Sequence, residues 1–261
     1  MLVALSTQVA FGSSQETILN GFVITGSGEK TVIVRGLGPS LATSGFSGVI
    51  KDPMLEVYDS KGALIASNDN WADVAESPFA AGGIYEELHP TSDLEAAVAI
   101  TLPAGTYWTI VRSKNDPNGL SVAEVIDHSK DSDSKIVNVT GQGPVQGDRN
   151  PLIGGLRIEG GSDASLVIRA LGPSLSAAGT ENALSDPLLE LYDSNGSLIN
   201  SNDNWKDKSD QASQITAKGL APTSQTEAAV VVSLAPGKYT ALIRGKNNGT
   251  GVASLEAYKL P

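Results

Sequence analysis

The chain contains no cysteine. That absence removes disulfides, thiol nucleophiles, zinc–thiolate sites and iron–sulfur clusters together. Histidine is almost as scarce. His89 and His128 are the two in 261 residues, so a Ser-His-Asp set or a metal–His site would have to use one of them. No apolar run approaches the roughly 20 residues of a membrane-spanning helix, and no membrane insertion is expected. Cations are outnumbered, 18 Lys and Arg against 29 Asp and Glu, for a formal net charge of −11. A phosphate backbone demands the opposite sign, so nucleic acid is not an expected partner. Long amphipathic helical patterns are missing too, while Gly, Ser, Thr, Asn and Asp are abundant. That profile predicts an all-β protein with many turns.

What is present is a repeat. DPMLEVYDSKGALIASNDNW at Asp52–Trp71 returns as DPLLELYDSNGSLINSNDNW at Asp186–Trp205. Trp71 and Trp205 lie 134 positions apart (205 − 71), as do Tyr58 and Tyr192, and Gly38 and Gly172. A long self-match at a fixed offset marks an internal duplication. The expectation is two tandem antiparallel β-sandwich domains, jelly-roll-like, over residues 1–128 and 136–261, joined by the polar link SKDSDSK at 129–135. The opening MLVALSTQVAF has no basic start and aligns with IVNVTGQGPV at the same offset. It is read as a first strand rather than a signal peptide.

Within the first copy, strands are expected over Leu2–Phe11, Ile18–Ile24, Thr31–Arg35, Met54–Tyr58, Ala63–Ser67, Glu95–Leu102, Thr106–Ser113 and Leu120–Ile126. Leu55 and Val57 alternate with Glu56 and Tyr58, the mark of a half-buried strand. The Gly-Pro pair of LGPSL, at Leu37–Leu41 and Leu171–Leu175, predicts a turn. Asp59–Gly62 and Asp193–Gly196 read as hairpin turns. The stretch Ala72–His89, against Lys206–Ala221, differs by two residues between copies and predicts a surface loop, with a short helix over Ala212–Lys218.

The strongest polar constellation is Asn68, Asp69, Asn70 and Asp73, repeated as Asn202, Asp203, Asn204 and Asp207. Two readings stand. Clustered carboxylate and amide oxygens suit Ca2+, and the same side chains make Asx-turns without any metal. Asn115-Asp116 and Asn247-Asn248 form a second oxygen-rich pair of loops. Trp71 and Trp205 are either sugar-stacking surfaces or core plugs, burial being favoured by their large apolar area. Trp108 is matched by Thr240, so it is read either as a contact for a ligand or partner module or as packing under the irregular segment. Arg35, Arg112, Glu56, Glu95 and Glu124 recur as Arg169, Arg244, Glu190, Glu227 and Glu256, and are read as structural Arg–carboxylate pairs and edge contacts.

The run YDSNGSLINSNDNW, an Ala/Val strand, APGKYTALIRG and a final G-x-x-x-L-E-x-Y strand together resemble the bacterial pre-peptidase C-terminal domain. More fully, R-A-L-G-P-S-L, D-P-x-L-E-L-Y-D-S-N-G and S-N-D-N-W resemble a module repeated in very large secreted bacterial proteins. The resemblance implies a non-catalytic, extracellular β-sandwich accessory module. The expected function is therefore a structural or adhesive repeat of a secreted or cell-surface protein. Its partners would be other modules or surface polysaccharide. Carbohydrate binding is the alternative. A third reading is a self-assembling fibre in which the end strands Leu2–Phe11 and Val252–Tyr258 pair with exposed sheet edges. No nucleophile–base pair or phosphate loop points to an enzyme.

Overall fold

The computed structural model describes residues 2–11, 17–73, 77–115, 118–128 and 135–261. Strands dominate. In the first half they are β1 (Leu2–Phe11), β2 (Thr17–Thr25), β3 (Lys30–Leu37), β4 (Pro53–Asp59), β5 (Leu64–Asn68), β6 (Ala96–Leu102), β7 (Gly105–Ser113) and β8 (Gly119–Asp127). The second half adds β9 (Lys135–Gln146), β10 (Leu152–Ile158), β11 (Ala164–Leu171), β12 (Pro187–Tyr192), β13 (Leu198–Asn202), β14 (Ala228–Leu234), β15 (Gly237–Gly245) and β16 (Thr250–Lys259). Among the described residues three short α-helices accompany them: α1 (Pro39–Thr43), α2 (Pro173–Ala177) and α3 (Ser209–Ala217).

The chain divides into two compact units. One is Gln8–Ile136; the other is Val137–Pro261 together with Met1–Thr7. The boundary falls differently from the sequence expectation, which gave residues 1–7 to the first half. Most of the expected link, residues 129–134, lies outside the described residues, and Lys135 already begins β9. In the first unit the strand orders are β8-β3-β6 and β2-β7-β4-β5. In the second they are β14-β11-β16-β9 and β10-β15-β12-β13. The pairings described within each unit's strands are antiparallel. Corresponding strands keep corresponding neighbours, and the β4–β5 irregularity at Val57/Tyr58 recurs between β12 and β13 at Leu191/Tyr192.

Burial explains the two kinds of strand. Leu55 and Val57 of β4 are buried and Glu56 and Tyr58 less so, the alternation read from the sequence. The central strands differ: Val32, Ile33 and Val34 of β3, and Leu166, Val167 and Ile168 of β11, are all fully buried. A continuous apolar run needs cover on both faces. One face meets the unit's other sheet. The other is covered by the segment that follows the Trp. Ile33 and Ala97 pack with Phe79, Trp71, Tyr85 and Leu88, and Val167 and Ala229 pack with Trp205 and Ile215 of α3. The segment expected to be a surface loop thus supplies a second core layer, from helix α3 in the second unit and from turns among the described residues of the first.

One further expectation changes. LGPSL does not simply turn; each copy starts a one-turn helix with Pro at its first position, where the missing N–H costs nothing. The last strand of the second unit, β16, pairs with β11 on one side and β9 on the other. The first unit also contains a fully buried ion pair, with Lys30 Nζ donating to both Asp127 oxygens at 2.9 and 3.1 Å.

Candidate functional site

The repeated S-N-D-N-W loop is built from inside outward. Asn68 ends β5 and spends both ends of its amide. Its Oδ1 accepts from Ala97 N at 2.9 Å and its Nδ2 donates to the Asn70 carbonyl at 3.1 Å. Asn202 does the same with Ala229 N and the Asn204 carbonyl, both at 2.9 Å. Trp71 N donates to Glu95 O at 2.9 Å and Trp205 N to Glu227 O at 2.8 Å. The indole N–H groups donate to Ser92 O at 2.9 Å and Ser224 O at 3.0 Å. Trp205 is buried and Trp71 half-buried, so both rings are held by the fold at edge and face.

The carboxylates of this loop surround a lysine. Lys114 binds Asp69, and its pKa is raised, first by that hydrogen bond and then, against partial burial, by the charges of Asp69, Asp52 and Asp73. Lys246 binds Asp203, and its pKa is raised by Asp203, Asp186 and Asp207 in the same pattern. Asp186 is pushed up by burial first, then by Asp203. Asn70 Nδ2 donates to Asp73 at 2.7 Å; its counterpart Asn204 reaches Asp207 at 3.5 Å. Asn115 donates to Asp52 at 3.1 Å, whereas Asp116 lies outside the described residues. Several acceptors, including Asp52 Oδ1, Asp69 Oδ1 and Asp203 Oδ1, are buried and take no protein donor. Among the described residues, no group of three or more His, Cys, Asp and Glu is arranged to hold a metal ion. The sequence reading missed Asp52, Asp186 and both lysines; the signal was their repetition at the offsets of their neighbours.

Glu95 and Glu227 do something other than pair with arginine. Both are fully buried. Glu95 Oε1 accepts from Gly38 N at 2.7 Å, Ser40 N at 2.9 Å and Ser40 Oγ at 2.6 Å. Glu227 Oε1 accepts from Gly172 N at 3.0 Å, Ser174 N at 2.9 Å and Ser174 Oγ. Its second oxygen takes Ser224 N at 3.2 Å. Each carboxylate thus satisfies the free N–H groups that open α1 or α2. The glycine is needed for contact: a Cβ on Gly38 would stand 2.4 Å from Ile50 O, and one on Gly172 2.0 Å from Leu184 O.

The remaining repeated charges do pair. Arg35 binds Glu124 and Arg169 binds Glu256; their other nitrogens donate to Leu88 O at 2.9 Å and Leu220 O at 2.8 Å. Those bonds tie β3 and β11 to the covering layer. Arg112 binds Glu56 and Arg244 binds Glu190. The histidines lie against aromatics: His89 stacks on Trp71 at 5.0 Å, and His128 meets the edge of Tyr85 at 4.8 Å. Trp108 alone among the tryptophans is exposed, at 37%. It sits between Gly21 and Tyr58 across the sheet.

No family model matches the chain, and no curated protein matches it. Three solved structures show distant similarity. One is from the Sulfolobus turreted icosahedral virus, at 12% identity over 100% of this chain and 89% of that one, with a TM-score of 0.24. Another is a protein of Eubacterium rectale described as secreted, at 8% identity over 97% and 68%, with a TM-score of 0.20. The third is Bacillus subtilis oxalate decarboxylase, at 8% identity over 98% and 69%, with a TM-score of 0.18.

Proposed function

We propose that the chain is a non-catalytic structural or adhesive repeat module of a secreted or cell-surface bacterial protein. One observation supports this above the rest: most of the polar groups that recur in both halves find partners inside the chain. Glu95 and Glu227 open helices, Asn68 and Asn202 fix turns, Asp69 and Asp203 hold lysines, and the arginines hold glutamates. Residues retained twice for shape suit a module whose task is shape. Duplication of one jelly-roll-like sandwich accounts for the matched strand orders, and the resemblance to repeated modules of large secreted proteins agrees with export. The test is antibody labelling of the cells that make the protein. Label on intact cells, lost on external protease, is expected; label that appears only after permeabilisation overturns the reading.

The calcium reading has a separate test. Each acidic loop already receives a lysine ammonium, so EDTA-treated protein is expected to melt at the same temperature with calcium as with magnesium. A calcium-specific rise, lost in Asp69→Ala plus Asp203→Ala, would make these loops metal sites, because a ligand that binds only the folded state raises Tm.

Carbohydrate binding is the second reading, and the exposed ring of Trp108 beside Tyr58 favours it. Retention on an insoluble polysaccharide should then be lost in Trp108→Ala.

A further inference from the structure

An outer strand of each unit carries the same exposed pair. Leu64 and Ile65 of β5 are 53% and 37% exposed, and Leu198 and Ile199 of β13 are 54% and 44%. Other large apolar side chains on the surface do not recur: Phe46, Leu94 and Trp108 correspond to Thr180, Thr226 and Thr240. Single exposed apolar residues are ordinary. A pair kept twice on a sheet edge is not.

Among the described residues β5 pairs with β4 alone, and β13 with β12 alone. The edges of the other sheet are closed by side chains. Ala97 N of β6 meets Asn68, Ala229 N of β14 meets Asn202, and Val231 N meets Gln211 of α3 at 3.2 Å. No side chain among the described residues does this for the backbone of β5 or β13. The register irregularity lies at the hairpin end of β5 and leaves Ala66, Ser67 and Asn68 in step with β4. LIASN and LINSN contain neither charge nor proline, the usual guards of an edge. The second edge has a guard from outside: Lys208 Nζ donates to Asn200 Oδ1 at 3.4 Å, which sets an ammonium on β13. Ala66 stands at that place in β5.

We infer that β5 pairs antiparallel, about a two-fold axis, with β5 of a second copy of this chain. The free N–H and C=O groups of the edge supply the bonds, and Leu64 and Ile65 lose their exposure to water. Charge selects the partner and the direction. Lys61, in the hairpin before β5, and Asp73, beyond its far end, are both exposed. Asp69 lies nearer but already holds Lys114, and Asp59 accepts from Lys61 N and Ala63 N. Antiparallel pairing of two identical edges points each Lys61 towards the partner's Asp73, so the attraction is made twice. Parallel pairing would set like beside like. Pairing β5 antiparallel with β13 of another copy would bring Lys61 towards Lys206 and Lys208, which flank Asp207. An edge of five residues is short, so the dimer is weak and forms with rising concentration.

This inference goes beyond the surface-module reading, and association in solution tests it wherever the protein resides. The experiment is sedimentation equilibrium of the full chain up to millimolar concentration, with Tm measured for every variant. The parent should show a monomer–dimer equilibrium. Leu64→Lys should weaken it at least about tenfold while Tm holds, because the side chain is exposed. Leu198→Lys, on the guarded edge, should leave it unchanged. Lys61→Glu should weaken the dimer, and adding Asp73→Lys should restore it, a rescue that non-specific apolar contact does not give. The inference is overturned if the parent stays monomeric throughout, or if Leu64→Lys associates as the parent does. Loss of association in Leu198→Lys would also overturn it. So would failure of the reversed pair to recover the dimer at an unchanged Tm.

Discussion

A lysine with no exposed side-chain surface needs a reason, and Lys30 has Asp127. Burial pushes the Asp127 carboxyl up and the Lys30 ammonium pulls it back, leaving it above the ordinary value. The corresponding positions in the second unit are Ala164 (30 + 134) and Lys259 (127 + 132), so the architecture does not depend on the pair. Removing one partner strands the other in the core. Lys30→Met alone should therefore cost about 3–5 kcal/mol in urea unfolding, while Lys30→Met with Asp127→Leu should recover most of it. If the single variant unfolds with the parent, the pair is not buried in solution. A second residue reports its surroundings optically. Tyr258 is pushed up to about 12, by burial first and then by the Glu256 charge. Its protonated form is favoured in the fold, so the stability it lends is complete below pH 10 and is lost as pH rises towards 12. Among the six tyrosines, absorbance at 295 nm should show Tyr258 ionising late, and Tyr258→Phe should remove that step.

The elements show how far sequence reading reached. Alternation located β4, self-alignment located its counterpart, and the hairpin glycines Gly62 and Gly196 do carry positive φ, 79° and 78°. Those features are local, and local chemistry is printed in order along the chain. The caps on α1 and α2 are not: Glu95 and Gly38 are 57 positions apart, and nothing near Leu37 announces that a carboxylate will arrive. The covering layer was missed for the same reason, because only the assembled sheet reveals that β3 and β11 have a second face to bury. The Asn and Asp loop was legible as a cluster, yet the lysine that enters it comes from beyond β7 or β15. At this scale the helix caps give the sharpest expectation. Glu227→Ala leaves buried N–H groups without an acceptor and should lower stability by about 3 kcal/mol, whereas Glu190→Ala, on a half-exposed pair, should cost about 1 kcal/mol or less. Equal losses in denaturant titrations would show that the buried carboxylate is not special.

For the molecule, the repeated and the unrepeated residues divide the labour. What recurs at matching positions holds each unit's own fold: caps, turn amides, arginine pairs and the layer under each tryptophan. What differs lies in the buried Lys30–Asp127 pair, in that layer's construction, or on the sheet faces, at Trp108 against Thr240 and Thr106 against Lys238. A shared pattern of strands is free to vary where side chains leave it.

The grouping of Met1–Thr7 with Val137–Pro261 has a consequence for biogenesis. Residues 1–7 are translated before the unit they complete. The intervening unit, Gln8–Ile136, can close as soon as its own strands have emerged, and the earlier segment waits for Val137–Pro261 before it meets its final partners.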